Sequence, residues 1–183
     1  MFFKTEEIVF REEVFRCAVQ AVTQALEKIT GESFSLRGYV LGGLRGWGLR
    51  WQQFYQDQAP GHWVTTRLRG PLPGLSFLWM AQPDAQLLWQ AAGSTQTPSP
   101  ENPIQLFIME LDNILSASFI RILAEAYELE LYGDVPEYAA QCPALLAEGP
   151  SDNRQGLWIF SEWECQALQI RLEYTWYFYP TSA

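Results

Sequence analysis

The chain has 183 residues, 48% of them apolar and 18% charged, which is enough to bury a full core as one domain and too apolar for a mainly disordered segment. With 21 acidic against 12 basic residues the net charge is -9, which excludes a nucleic-acid backbone binder, because that task needs a basic stripe to displace counterions. Cys17, Cys142 and Cys165 stand at wide spacings beside a single histidine, His62, a set that excludes a disulfide framework, a CxxC knuckle and the common histidine metal sites.

The opening MFFKTEEIVFREE lacks a basic region followed by an apolar stretch and a small-residue cleavage site, and no run of about twenty uncharged apolar residues occurs, so the sequence predicts a cytoplasmic protein without membrane insertion. From about Glu7 to Ile29, the apolar residues Val14, Ala18, Val22, Ala25 and Ile29 keep the helical period and predict a helix that stops at Gly31. Cys17 lies in this helix and reads as a small packing residue. SFSLRGYVL follows as a strand, then a long connection from Gly42 to Gly61. Its Trp47, Leu49, Trp51, Phe54 and Tyr55 either tuck onto the core or form a binding surface. The glycines of GGLRGWG do not make a phosphate loop, lacking GxxxxGK[ST]. His62 sits in the turn-like PGHW with no nucleophile arranged for it to activate, and reads as structural or exposed.

HWVTTRLRG and GLSFLWMA are two more strands, separated by the turn PLPG. Asp84 to Ala92 is a short helix preceded by Pro83 and closed by Gly93, and STQTPSPENP at 94–103 is a polar linker. The second long helix carries apolar residues at Ile104, Ile108, Leu111, Leu115, Phe119, Ile122, Ala126 and Leu129, which define its buried side. At roughly 100° per residue, Glu110 and Asn113 fall together on the opposite side. Ala117 and Ala124 continue the Asn113 face with small side chains, and Ile120 adds an apolar contact, as an approaching partner surface would need. The alternative is ordinary solvated surface, or a helix packed between two layers of its own chain. LELYGDV, GLWIFSEWE and QALQIRLEYTWYFY close the chain as strands.

Helix, strands and short helix are thus followed by helix and strands again, which predicts one domain over 1–183 made of two repeats, about 1–93 and 101–180. Matching the helix stripes sets Glu13 against Glu110 and Arg16 against Asn113. The expected fold is α/β of the α+β kind: a largely antiparallel sheet of about six strands, long flanking helices and pseudo-twofold internal repetition. The final YTWYFY strand either pairs with a second subunit, giving a homodimer, or closes the sheet internally.

This layout, with ELDNILSASFIRILAEAYEL at 110–129, LPGLSFLWMAQPDAQLLWQAAG upstream and Val135 and Pro136 after the helix, resembles the CheC/CheX/FliY family of chemotaxis phosphatases. Each half of that family begins with a helix bearing ExxN, commonly with Asp or Ser four residues before the Glu. The resemblance implies a phosphatase of a phosphorylated CheY-like receiver domain, with Glu110 and Asn113 as catalytic residues and Ala117 and Ile120 as binding residues. It implies that Asn113 orients the attacking water and that Glu110 pairs with the regulator's lysine. The divalent ion belongs to the regulator, so the chain is expected to bind no metal or cofactor of its own. Leu106 and Val9 stand where the family has its upstream polar residue, and Arg16 replaces the first amide; a guanidinium has no acceptor, so Glu13 and Arg16 form a degenerate first site. These departures keep two alternatives open: an adaptor or dimerisation module that binds without catalysis, and an unrelated α/β domain whose ExxN is accidental.

Overall fold

The computed structural model describes residues 2–4, 9–43, 60–93, 102–139 and 156–179. Trp47, Trp51, Phe54, Tyr55, Cys142 and most of the linker at 94–103 lie outside them. In chain order the elements are strands β1 (Phe2–Lys4) and β2 (Val9–Arg11), helix α1 (Glu12–Thr30), strands β3 (Ser35–Gly43), β4 (Gly61–Arg69) and β5 (Gly74–Ala81), and helices α2 (Gln82–Ala91) and α3 (Pro103–Tyr127). Strands β6 (Tyr132–Gly133), β7 (Glu137–Ala139), β8 (Leu157–Cys165) and β9 (Ile170–Phe178) follow.

Helix α1 starts later than the expected Glu7, because Val9–Arg11 pairs antiparallel with Phe2–Lys4 instead. Glu12 and Glu13 then occupy the first turn, where carboxylates suit the positive end of the helix dipole. At the other end Gly31, at φ 72°, takes the left-handed conformation that glycine adopts without a steric penalty, and its N–H bonds to the Glu27 carbonyl at 2.9 Å. Helix α3 begins at Pro103, whose missing N–H costs nothing in the first turn. It ends where Leu129 N–H reaches the Ala124 carbonyl at 3.0 Å.

Among the described residues the main sheet has seven strands, all paired antiparallel, in the order β3-β8-β9-β5-β4, with β6 and β7 both on the far side of β4. Exchanging β3, β4 and β5 for β7, β8 and β9 gives the same order read from the other end. The expected LELYGDV strand shrinks to Tyr132–Gly133, since both residues are exposed and no buried alternation sustains a longer one. His62 lies in β4, as the HWVTTRLRG strand predicts and not in a PGHW turn; its ring Nδ1 is 2.8 Å from the Tyr138 hydroxyl, and burial lowers its pKa. The YTWYFY segment is not an exposed edge: β9 sits between β5 and β8.

Successive residues of each strand face opposite sides. On one side Val64, Leu68, Leu78, Met80, Ile159, Trp163, Leu172, Tyr174 and Trp176 form the main core with the inner faces of the helices. On the other, Trp63, Phe77, Trp79, Trp158 and Tyr177 form a second aromatic cluster. Helix α1 crosses α3 with its start against the end of α3: the Tyr127 hydroxyl accepts the Arg11 N–H at 2.9 Å, and Phe15 meets Phe119 with ring centres 6.5 Å apart. The two long helices therefore run antiparallel over the sheet.

Candidate functional site

Helix α3 buries Ile108, Leu111, Leu115, Phe119, Ile120 and Leu123 and leaves Leu106, Glu110, Asn113, Ala117, Arg121 and Glu125 exposed in steps of three and four residues. Glu110 and Asn113 are thus neighbours on the solvent face, as their spacing predicted. Neither side chain is engaged in a hydrogen bond or ion pair among the described residues. Below them, the Ser116 hydroxyl donates to the Asn113 backbone carbonyl at 3.2 Å, and further along Arg121 and Glu125 pair at 3.1 Å. The pair offers solvent one carboxylate acceptor and one amide that both donates and accepts without titrating near neutral pH.

Ala117 lies on this face, but Ile120 does not: it is buried, 6% exposed, against the main core. An ideal helix would put Ile120 nearly above Asn113, yet the exposed line advances by steps of four through Ala117 and Arg121, while β6 folds back over the intervening flank. A side chain built on Gly133 would stand 3.6 Å from the Ile120 methyl. The apolar residue beside the pair is instead Leu106, 50% exposed and one turn before Glu110. Its sequence signal was its position off the stripe of Ile104, Ile108 and Leu111.

On α1, Glu13 and Arg16 are exposed, and Glu13 pairs with Arg11 at 3.9 Å rather than with Arg16. The alignment of Glu13 with Glu110 carries through both helices: Val14 and Leu111, Ala18 and Leu115, Val22 and Phe119, and Leu26 and Leu123 are all buried. Cys17 is exposed rather than packed inside. It borders a shallow groove shared by Glu13, Val14, Ile122, Glu125 and Ala126.

One position breaks the chemical match. Phe15 on α1 corresponds to Asp112 on α3, and both are wholly buried. The Thr66 hydroxyl donates to Asp112 Oδ2 at 2.5 Å, and the Tyr174 hydroxyl donates to the Asp112 backbone carbonyl at 3.5 Å. Burial pushes the Asp112 carboxyl up to about 6, against the opposing pull of the hydrogen bonds from Thr66 and Tyr174. The Tyr174 hydroxyl is raised well above the usual phenol range, first by its own burial and then by the Asp112 charge. Sequence periodicity contained the signal for Asp112, an acid on the inner side between Leu111 and Leu115.

Among the described residues no helix is long and apolar enough to cross a membrane, and no three His, Cys, Asp or Glu side chains converge as a metal site would require. No protein-family model and no curated protein sequence matches the chain. Solved structures do. The chemotaxis protein CheX from Vibrio vulnificus is 12% identical, with 91% of this chain and 99% of that one covered at a TM-score of 0.64. CheX in the CheX–CheY–BeF3–Mg2+ complex from Borrelia burgdorferi is 12% identical, covering 92% and 99% at a TM-score of 0.59. Thermotoga maritima FliY is 14% identical, covering 94% and 92% at a TM-score of 0.56. At these identities the likeness is one of fold.

Proposed function

We propose, for a chain whose fold is CheC/CheX/FliY-like, that it is a cytoplasmic phosphatase of an aspartyl-phosphorylated, CheY-like receiver domain in chemotaxis or related two-component signalling. The observation that carries the proposal is the exposure of Glu110 and Asn113 on one helix face, with no intramolecular partner among the described residues. Hydrolysis of an acyl phosphate needs a water held in line with phosphorus, and catalysis is mostly positioning and charge stabilisation. Asn113 holds that water, donating with its N–H and accepting with its carbonyl. Glu110 pairs with a lysine of the receiver and fixes the docking register, while Ala117 leaves room and Leu106 supplies apolar contact. The divalent ion comes with the receiver. That a fold neighbour was crystallised with CheY supports the choice of partner.

The test is to incubate the protein with phosphorylated receiver domains and follow phosphate release. Asn113→Ala lowers the rate about 100-fold while binding persists. An unchanged rate removes the catalytic assignment. Arg16 in place of an amide and the apolar Leu106 favour a second reading, an adaptor that binds a receiver or other protein without turnover. Tight receiver binding with no acceleration of dephosphorylation by the wild type would select it.

A further inference from the structure

Directly between Glu110 and Asn113, on the inner side of the same helix, Asp112 reaches a buried set of hydroxyls drawn from three strands. Thr66 on β4, Ser76 on β5, Tyr174 on β9 and Ser116 on α3 itself are all 2% exposed or less. They are linked: Thr66 donates to Asp112 Oδ2 at 2.5 Å, Ser76 donates to the Thr66 carbonyl at 3.5 Å, and the Tyr174 hydroxyl, beside Ser76 and Ser116, donates to the Asp112 backbone carbonyl at 3.5 Å. Ser116 in turn donates to the Asn113 carbonyl, so the cluster touches the backbone of the site. Asp112 Oδ1 is buried with no hydrogen-bond partner. A buried acceptor left unmade is costly and rare.

The corresponding position on α1 is Phe15, on the helix that carries Arg16 where α3 carries the amide. The buried acid thus accompanies the amide and is absent from the degenerate half. Because a helix turns as a rigid unit, any rotation of α3 that changes the Asp112 contacts turns Glu110 and Asn113 through the same angle. We propose that Asp112 is a positioning residue for this pair: through Thr66 and the Tyr174 hydroxyl it sets the rotation of α3 on the sheet, and its proton loss changes how Glu110 and Asn113 are presented. The inference rests on the phosphatase reading of that face.

The physical basis is a change in hydrogen-bonding capacity. With Thr66 donating to Oδ2 in either state, proton loss leaves Oδ1 as a buried charged acceptor without a donor, and a shift of the neighbouring hydroxyls or of α3 itself is what relieves it. Among the described residues the titratable group acting on Asp112 is Tyr174; β4 and β5 contribute only the hydroxyls of Thr66 and Ser76, and no cation compensates the carboxylate. Burial places the carboxyl at about 6, so the change falls in the range where a cytoplasmic enzyme works.

Two measurements on the full chain test this. In 15N-resolved NMR from pH 5 to pH 8, the Glu110 backbone and Asn113 side-chain amides of the wild type shift with a common midpoint near 6, and Asp112→Asn removes that titration. In phosphate release from a phosphorylated receiver domain, Asp112→Leu lowers kcat about tenfold and raises KM, because Glu110 turns with Asn113, whereas Asp112→Asn keeps most of kcat and flattens its profile across that pH range. Absence of the titration in the wild type, its persistence in Asp112→Asn, or a folded Asp112→Leu with wild-type kcat would overturn the positioning role. If Asp112→Leu does not fold, the NMR comparison with Asp112→Asn decides. If Asn113→Ala leaves phosphate release unchanged, it is the phosphatase reading that fails, and the NMR arm still judges Asp112 by itself.

Discussion

Helices α1 and α3 share one burial pattern and carry different chemistry on it. Glu13, Arg16, Gln20, Gln24 and Lys28 line the outside of α1; Glu110, Asn113, Ala117, Arg121 and Glu125 occupy the matching places on α3. Inside, the small Ala18 and Val22 correspond to the larger Leu115 and Phe119. Phe119 stacks on Trp176 with ring centres 4.0 Å apart, so at these two positions α3 meets the sheet with larger side chains than α1, whose own large contact is Phe15 against Phe178, ring centres 6.4 Å apart. The lesson is that architecture dictates which positions are buried, while the chemistry at each position is free to diverge. An amide can become a guanidinium and a phenyl ring a carboxyl without disturbing the period.

That contrast can be broken most forcefully inside the core. Leu115→Ala should destabilise the protein by about 3 to 4 kcal/mol in urea unfolding, through lost transfer energy plus a cavity. Ala18→Gly, its counterpart, should cost only about 1 kcal/mol. Equal costs would mean that the helices do not differ in packing at these matched positions.

The Phe15 and Asp112 exchange predicts a pH effect. Burial holds the folded carboxyl at about 6 against the usual 3.8 of an exposed aspartate, so between those values the folded state binds more protons than the unfolded one. Stability is therefore greatest below the unfolded value and falls as pH rises through the folded one. Relative to Asp112→Asn, the wild type should lose roughly 2 kcal/mol between pH 4 and pH 7, read as a difference in urea midpoints at constant m. Parallel pH profiles would contradict the burial of an uncompensated acid.

Smaller effects sharpen the outer faces. Arg16→Asn restores an amide to α1, and independent sites add, so phosphate release should rise by no more than about twofold. A larger gain would show that the first half retains more of a site than Arg16 suggests. Arg121→Ala breaks an exposed pair with Glu125, both more than half exposed, and should cost about 0.3 to 0.5 kcal/mol in urea unfolding. A cost above 1 kcal/mol would mean that this stretch of α3 is more constrained than its exposure implies.

Much of this was legible because long elements average over many residues. The stripes of α1 and α3, the alternation of β4, β5, β8 and β9, and the outward placement of Glu110 and Asn113 followed from periodicity alone. Short elements were legible only in part: the LELYGDV strand keeps just Tyr132–Gly133, Glu137–Ala139 was not foreseen, and both are recruited by the free edge of β4 rather than by their own pattern. Ile120 was misplaced because helical angle says where a side chain points and not what lies over it. Cys17 was misplaced in the opposite sense, a small apolar residue left exposed on the outer flank of α1. His62 read as part of a turn because Pro60 and Gly61 precede it, but Gly61 already pairs with Ala81 as the first residue of β4.

The central place of β9 has a consequence for how the chain acquires its structure. β3 has its sheet partner in β8, with Ser35 opposite Glu164 at a separation of 129 residues, and β5 gains its second neighbour only from β9. A nascent chain that has made the first half holds only one hairpin of the main sheet, β4 with β5, and an unpaired β3. Loop closure over such distances comes before any reward from contacts, which makes folding slow and leaves strand edges open meanwhile. Within the main sheet β9 is the last strand in the chain, and it closes the gap between β8 and β5 by pairing with both.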